Sequence, residues 1–287
     1  MFDPAFLKKL EYLRLVSMRA FAGRDRADRV ARKRGAGLEF ADYRQYAAGD
    51  DVRHIDWKAY KRLNRLLLRL FDEEQDLPVY LFLDASRSMA AAAKFDQAKR
   101  LAAALCYVGL VHFDRVTILP FRSGLDREIA PGRGRGRIFP VFKILERMEA
   151  DGGTNLQQSI RHFAARPGRR GLAFVLSDFF DPDGFEPGLK LLSSLGHDVL
   201  VVQVCSERER DLTAVGDMRF VDAESGEHLD VDVTTGLSRA YRDAWEAHAE
   251  AIETFCRRYQ LPFVRAAAED PFEEIVLRTF RQGGFLA

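Results

Sequence analysis

Hydroxyl and carboxyl side chains follow three separated segments of this 287-residue chain, and all of them offer oxygen atoms. Asp84, Ser86 and Ser88 follow one apolar run, Asp178 follows another, and Thr154 lies in a glycine-containing turn between them. Mg²⁺ prefers octahedral ligation by oxygen at about 2.0–2.1 Å and keeps several of its waters. We expect the three hydroxyls to contact the ion directly, and the two carboxylates to hold its waters and balance its charge. The sequence therefore predicts one Mg²⁺ site, with Mn²⁺ or Ca²⁺ as alternative ions.

The elements that must position these residues are short apolar runs that alternate with helical patterns. Continuous apolar runs are typical of strands that are buried on both faces of a sheet. Strands alternating with helices predict an α/β fold with a mostly parallel, doubly wound sheet, whose ligands bind beyond the carboxyl ends of the strands. The predicted strands are 79–83, 116–120, 172–176, 199–204 and 263–264, and the predicted helices are 95–113, 137–149, 155–165, 185–195 and 238–259.

The order Asp-x-Ser-x-Ser, distant Thr and further Asp resembles the metal-ion-dependent adhesion site of the von Willebrand factor A fold. The resemblance implies a Rossmann-like three-layer α/β sandwich in which Asp84, Ser86, Ser88, Thr154 and Asp178 hold the ion. It also implies that a carboxylate of a partner protein supplies the last coordination position. Arg87 lies between the two serines, so we expect it to be exposed at the rim and to attract an acidic partner.

A second resemblance involves the segment 49–58, Gly-Asp-Asp-Val-Arg-His-Ile-Asp-Trp-Lys, which is preceded by Leu-Glu-Phe at 38–40. These residues resemble a bacterial group of von Willebrand factor A-like proteins that is associated with MoxR-type AAA+ ATPases. The likeness extends over 35–204. It implies an adaptor or accessory protein whose partner is a MoxR-type AAA+ ATPase or the substrate of one, with a role in protein maturation or complex assembly.

The predicted organisation has two parts. Residues 1–76 form an N-terminal extension, with a helix, a charged linker over 24–34 and short strands, that packs on the main domain. Residues 77–287 form the von Willebrand factor A-like domain, which carries a hairpin insertion near 216–234. Within the extension, His54 lies near Asp51 and Asp56. We interpret this group as a structural cluster in which Trp57 is buried, with catalysis by His54 as the other interpretation.

Particular residues also allow other interpretations of function. Asp84 and its serines could simply cap a helix, since Ser and Asp accept backbone N–H bonds there. A metal-dependent phosphohydrolase or nuclease could use the same carboxylates, but it lacks a plausible general base and the ligand set is rich in hydroxyls. Asp84 could also be the nucleophile of a phosphatase of the haloacid dehalogenase kind. Those enzymes usually carry an acid two positions later, where this chain has Ser86, and a hydroxyl is a poor proton-transfer group near neutral pH. We therefore expect a binding protein and not an enzyme. The Gly-Arg repeat at 132–137 could contact phosphate or RNA, but it lacks interleaved aromatic residues and indicates a flexible loop.

Composition sets the remaining expectations. A formal net charge of +1 gives no overall attraction to nucleic acid or to a membrane surface. The longest apolar stretch, 101–111, is shorter than the roughly 20 residues needed to span a bilayer, and no secretory signal is present. Cys106, Cys205 and Cys256 are far apart, which is typical of buried free thiols in a reducing compartment. We expect a cytoplasmic protein without a membrane span.

Overall fold

The computed structural model describes residues 1–28, 34–35, 39–47, 50–72, 78–111, 115–132, 134–212, 216–222 and 226–284. The α-helices within these ranges are α1 (Pro4–Asp28), α2 (Trp57–Leu63), α3 (Lys94–Val111), α4 (Ile138–Arg147), α5 (Leu156–Ala164), α6 (Glu186–Ser194), α7 (Glu207–Arg210), α8 (Thr235–Arg258) and α9 (Phe272–Gln282). The strands are β1 (Arg34–Gly35), β2 (Glu39–Gln45), β3 (Leu67–Asp72), β4 (Pro78–Asp84), β5 (Arg115–Phe121), β6 (Leu172–Ser177), β7 (Asp198–Cys205), β8 (Gly216–Val221), β9 (His228–Val233) and β10 (Phe263–Ala267). Short 3-10 helices span Val52–His54, Arg87–Ala93 and Arg135–Arg137.

The central sheet is parallel and has the strand order β10-β7-β6-β4-β5. Each strand coincides with a predicted apolar run, because parallel strands covered on both faces have no solvent-facing side. The register places Leu83 beside Leu176 and Leu176 beside Val202, so the strand ends that carry Asp84 and Asp178 meet at one edge. The predicted α/β fold with a parallel central sheet is confirmed.

Helices cover both faces of this sheet. One buried cluster joins Leu81 and Leu176 to apolar residues of α1, α3, α4 and α9. The other joins Phe82 and Val175 to residues of α5, α6 and α8. Neighbouring positions of one strand enter opposite clusters, since side chains alternate across a strand, and the result is the predicted three-layer sandwich. No helix in the described part of the chain combines the length and apolar character that crossing a membrane requires.

The chain divides into two compact units, one of Met1–Met18 with Leu77–Ala287 and the other of Arg19–Asp76. In the first unit, Phe6, Leu10 and Leu13 at the start of α1 are buried in the cluster that covers the sheet. The second unit contains the antiparallel sheet β1-β3-β2 and the short helix α2. The predicted boundary at 76, and the packing of the N-terminal extension on the main domain, stay predictions.

One prediction of local structure is wrong. The charged linker expected over 24–34 is helical as far as Asp28, because this stretch holds alanine and arginine, which favour helix, and no proline; residues 29–33 lie outside the described ranges. After β5, the chain returns to the edge of the sheet through the isolated bridges Phe121–Leu125 and Ile118–Ile129. Near the C-terminus, β8 and β9 form an antiparallel hairpin.

Candidate metal site

Asp84 ends the central strand β4 and is fully buried. Its Oδ1 accepts a hydrogen bond from the Ser86 backbone N–H at 2.9 Å, and its Oδ2 accepts one from the Ser177 hydroxyl at 2.5 Å. Burial raises the pKa of Asp84 to about 7, and the nearby carboxylate of Asp178 contributes to the increase. The described groups that hydrogen-bond Asp84 are neutral, so its charge has no direct cationic partner among them.

Ser86 and Ser88 occupy the start of the 3-10 helix Arg87–Ala93. Ser86 holds the N-cap position, but its side chain makes no capping hydrogen bond. The Ser86 Oγ instead lies 3.1 Å from the Ser88 Oγ, with Ser86 buried and Ser88 half-buried. Capping would direct the hydroxyl at the backbone N–H groups of the helix. The observed geometry therefore disfavours the interpretation of this serine as a helix cap.

The loop that carries Thr154 is held against the serine loop by backbone hydrogen bonds. The Asp151 N–H donates to the Ala85 carbonyl at 2.9 Å, and the Arg87 N–H donates to the Gly152 carbonyl at 2.8 Å. Gly152 has a φ of +78°, a left-handed conformation that glycine adopts without a steric penalty. Thr154 is buried two residues later. The structure thus brings the predicted threonine to the loop of the predicted serines, from a segment more than 60 residues away.

Asp178 follows β6 and is engaged by a buried lysine that sequence reasoning did not find. The Lys94 Nζ lies 2.7 Å from the Asp178 Oδ2 and 2.9 Å from the Glu209 Oε1. Although burial lowers the pKa of Lys94, the Asp178 and Glu209 carboxylates together raise it above its usual value. Glu209 belongs to α7, which follows β7. The rule that ligands bind beyond the carboxyl ends of parallel strands could have directed attention to it.

The charges of these buried groups leave room for a divalent cation. Lys94 pairs with Asp178 and with the partly buried Glu209, and Asp84 lies near Asp178. These three carboxylates and one ammonium carry two net negative charges when all are ionised. Buried charges are costly unless they are paired or coordinate a metal. In addition, the Glu209 Oε2 is buried and has no hydrogen-bond partner within the described ranges. This donor set suits Mg²⁺, which binds oxygen ligands.

The ligands of such an ion would have to include hydroxyls. No group of three or more His, Cys, Asp or Glu residues in the described ranges is arranged to hold a metal. The predicted set contains two carboxylates and three hydroxyls, so it falls outside that pattern. Ser86 and Ser88 follow Asp84 in the same loop, and the loop that carries Thr154 is hydrogen-bonded to it.

The rim of the site carries a charged pair and an exposed aromatic ring. Arg87 is exposed, as predicted, and its Nε donates to the Asp151 Oδ1 at 3.0 Å. This hydrogen bond lowers the pKa of Asp151. Phe180, two residues after Asp178, is 41% exposed and stacks on His248 at 4.3 Å between ring centroids. The exposed Arg87 is therefore already paired with one carboxylate.

The other sequence clusters have structural explanations. Asp56 caps α2 by accepting from Lys58 N–H and Ala59 N–H, while Tyr43 donates its hydroxyl to it. Trp57 is 61% exposed, so the prediction that it is buried is wrong; as the first residue of α2 it lies on the side opposite the buried Ala59. The His54 side chain lies outside the described residues.

The glycine-arginine loop also takes part in local structure. Gly132 and Gly134 have φ values of +83° and +92°, and the loop continues into the 3-10 helix Arg135–Arg137 just before α4. These conformations agree with a turn that leads into a helix. Arg133 lies outside the described residues.

Comparison with known proteins identifies relatives along most of the chain. The model of the family described as "Protein of unknown function DUF58" matches residues 42–253. "Uncharacterized protein Rv1480" of Mycobacterium tuberculosis is 27% identical over 269 residues, which cover 91% of this chain and 84% of that protein.

The chain is also similar to several solved structures. An aerotolerance-related membrane protein from Bacteroides fragilis gives a TM-score of 0.45 at 17% identity, covering 72% of this chain and 98% of the other. A von Willebrand factor type A protein from Catenulispora acidiphila gives 0.40 at 15% identity, covering 75% and 44%. The proximal thread matrix protein 1 from the mussel byssus, described with a zinc-occupied MIDAS motif, gives 0.35 at 12% identity, covering 44% and 37%.

Proposed function

The chain belongs to the DUF58 family, and we propose that it is a protein-binding module that holds one divalent cation, Mg²⁺ by preference, at the edge of its sheet. The observation that carries this proposal is the pair of buried carboxylates, Asp84 and Asp178, beside the hydroxyls of Ser86 and Ser88. The ammonium of Lys94 pairs with Asp178, while the described hydrogen-bond partners of Asp84 are neutral, so the charge of Asp84 has no direct counterion among them. A divalent cation supplies that counterion.

Each residue has a distinct part in this proposal. The hydroxyls of Ser86, Ser88 and Thr154 contact the ion, while Asp84 and Asp178 balance its charge and hold its waters. When bound, the ion offers a coordination position to a carboxylate of a partner protein. Neutral direct ligands leave much of the positive charge of the ion available to that carboxylate, which favours docking.

Catalysis is the second candidate, and one observation favours it. The pKa of Asp84, raised to about 7, is in the range of a general base. However, Asp84 is fully buried, and both of its oxygens already accept hydrogen bonds from Ser86 and Ser177. A general base must reach the proton that it removes, so this environment supports a structural carboxylate. We propose that the protein is not an enzyme, with metal-dependent phosphohydrolase or nuclease as the alternative.

The partner that we propose is a MoxR-type AAA+ ATPase, or a substrate of one, that presents an acidic residue. The support is the likeness of the segment 49–58 to the MoxR-associated group and the oxygen-rich site beside Arg87 and Phe180. Nucleic acid is not part of the proposal, because the net charge is +1. A cytoplasmic location is also proposed, and the buried free thiols of Cys106, Cys205 and Cys256 agree with a reducing compartment.

The test measures metal-dependent retention of a purified MoxR-type ATPase from the same genome. Immobilised wild type and Asp84→Asn are compared in Mg²⁺ and in EDTA, with Asp96→Asn, an exposed aspartate of α3, as the matched control. We expect retention only by wild type and the Asp96 variant in Mg²⁺. Equal retention in every condition would refute metal-mediated docking and direct attention to the exposed Trp57 in the second unit.

The catalytic alternative has its own test. Purified protein with Mg²⁺ or Mn²⁺ is incubated with p-nitrophenyl phosphate, bis-p-nitrophenyl phosphate and a single-stranded oligonucleotide. We expect no turnover above buffer. Turnover that disappears in Asp84→Asn but persists in Asp96→Asn would establish the hydrolase function instead.

A further inference from the structure

Lys94 places a permanent positive charge inside the candidate metal site. It is buried, and its Nζ contacts the carboxylates of Asp178 at 2.7 Å and Glu209 at 2.9 Å. Its ammonium also lies 5.6 Å from the centroid of the Phe180 ring, close enough for a cation–π interaction. A buried lysine in contact with two carboxylates stays charged, and any ion that enters the site meets that charge.

The chain holds Lys94 there with an unusual backbone. Ala92 and Ala93 have φ values of +48° and +61°, left-handed conformations that cost energy in residues with a Cβ atom. Lys94 then begins α3. Two strained residues in succession persist only where the surrounding contacts determine them, and the ion pairs of Lys94 are such contacts. The lysine is therefore fixed in place next to Asp178.

Lys99 provides the contrast on the same helix. It is also buried, but its Nζ pairs with Asp96 at 3.0 Å and lies 4.8 Å from the centroid of the Phe95 ring. None of these groups belongs to the candidate metal site. Burial of a lysine on α3 can thus be separated from the charge that Lys94 brings to the site.

We propose that Lys94 is a resident cation that weakens the binding of a divalent ion alone and strengthens the binding of a carboxylate to the ion-loaded site. This inference rests on the proposed function of the same site. With a divalent ion present, the charges of Asp84, Asp178, Glu209, Lys94 and the ion cancel. Without Lys94 the loaded site would carry a negative charge and would repel the carboxylate of a partner. Lys94 therefore makes the ion and the acidic partner bind together and disfavours either alone.

Glu209 acts in the opposite direction from Lys94. Its carboxylate shares the ammonium with Asp178, and its Oε2 has no hydrogen-bond partner within the described ranges. Removal of the Glu209 charge leaves Lys94 to Asp178 alone and makes the site more positive. The two residues together set how strongly the site attracts an ion.

Isothermal titration with Mg²⁺ and Mn²⁺ alone tests the inference. Lys94→Met should bind either ion at least about tenfold more tightly than wild type, because a nearby positive charge is gone. Glu209→Gln should bind more weakly than wild type. Lys99→Met, the matched control, should bind as wild type does. Unchanged or weaker binding by Lys94→Met would overturn the inference, since a purely structural lysine would have that effect.

Two controls keep the outcome decisive. Thermal melts in EDTA and in Mg²⁺ reveal whether Lys94→Met is folded, and the ion should raise its Tm by more than it raises that of wild type. If Lys94→Met does not fold in either condition, the test rests on Glu209→Gln. An affinity of Glu209→Gln for the ion that equals that of wild type would then overturn the inference. If wild type and all variants fail to bind either ion, the proposed function itself is refuted; if wild type binds and Lys94→Met gains nothing, only the inference fails.

Discussion

Replacing Asp84 by asparagine should stabilise the metal-free protein while it removes the response to metal. Asp84 is fully buried, and its pKa rises from 3.8 to about 7, chiefly because burial disfavours the charged form. The folded state therefore binds this proton more tightly than the unfolded state does. Protonated Asp84 therefore contributes to the free energy of unfolding. This contribution is fully present below about pH 4 and is lost as the pH rises to about 7.

The size of the effect follows from the same values. A difference between 3.8 and about 7 corresponds to at most ~4 kcal/mol, at 1.36 kcal/mol per pKa unit. Asparagine is neutral at every pH, and its side-chain oxygen can still accept the Ser86 N–H. The asparagine side chain lacks the stronger hydrogen bonds that a charged acceptor makes. We therefore expect the gain in stability to be roughly half of this upper limit. In EDTA at pH 8, Asp84→Asn should be about 2 kcal/mol more stable than wild type, and at pH 4.5 the two should be nearly equal.

Urea unfolding measures this directly. The free energy of unfolding is compared for wild type, Asp84→Asn and the control Asp96→Asn, between pH 4.5 and 8, in EDTA and in Mg²⁺. Mg²⁺ at ten times its Kd should stabilise wild type by about 1.4 kcal/mol and leave Asp84→Asn unchanged. A lower stability of Asp84→Asn than of wild type at pH 8 in EDTA, or an equal gain from Mg²⁺, would refute the predicted cost of the buried charge and its role in metal binding.

Three further outcomes are expected. Ser86→Ala should weaken Mg²⁺ binding by about tenfold in titration calorimetry, whereas Ser159→Ala, which removes a buried hydroxyl of α5, should leave that affinity unchanged while it lowers stability by ~1 kcal/mol. Gly109→Ala should destabilise the protein by about 1–3 kcal/mol in urea unfolding, because its Cβ would lie 2.6 Å from the Val116 Cγ2 at the contact between α3 and β5; no loss would show that the helix can move away. Burial raises the pKa of the Cys106 thiol to about 12, so its reaction with a thiol reagent in native buffer should be far slower than in urea, and equal rates would contradict its burial.

The sequence predicted the sheet well because its strands are buried on both faces. Each run of apolar residues, such as 172–176, has no polar alternation and is bounded by polar segments, which leaves few other interpretations. The last helix, α9, was missed. Its buried Ile275 and Val276 are adjacent and form only a short apolar stretch with Leu277, between Glu274 and Arg278. Periodicity alone therefore gave a weak signal.

The predicted metal-site residues were found as a motif, but their electrostatic partners were not. Lys94 follows five residues of which four are alanine, and nothing in that pattern marks its side chain as buried. Its burial depends on the left-handed turn at Ala92 and Ala93 and on two distant carboxylates, Asp178 after β6 and Glu209 in α7. Contacts between residues that are 84 and 115 positions apart arise from the topology of the sheet, which local sequence patterns do not encode.

The arrangement of the two aspartates argues for binding over catalysis. Catalytic carboxylates need an oxygen that is free to meet a substrate, yet the oxygens of Asp84 are covered by the Ser86 N–H and the Ser177 hydroxyl. One oxygen of Asp178 forms an ion pair with Lys94, and the other accepts a hydrogen bond from the Phe180 N–H at 3.2 Å. Both carboxylates thus accept hydrogen bonds from protein groups, and an oxygen that is covered in this way is a poor general base. This geometry agrees with the proposal that the two carboxylates balance the charge of a bound cation.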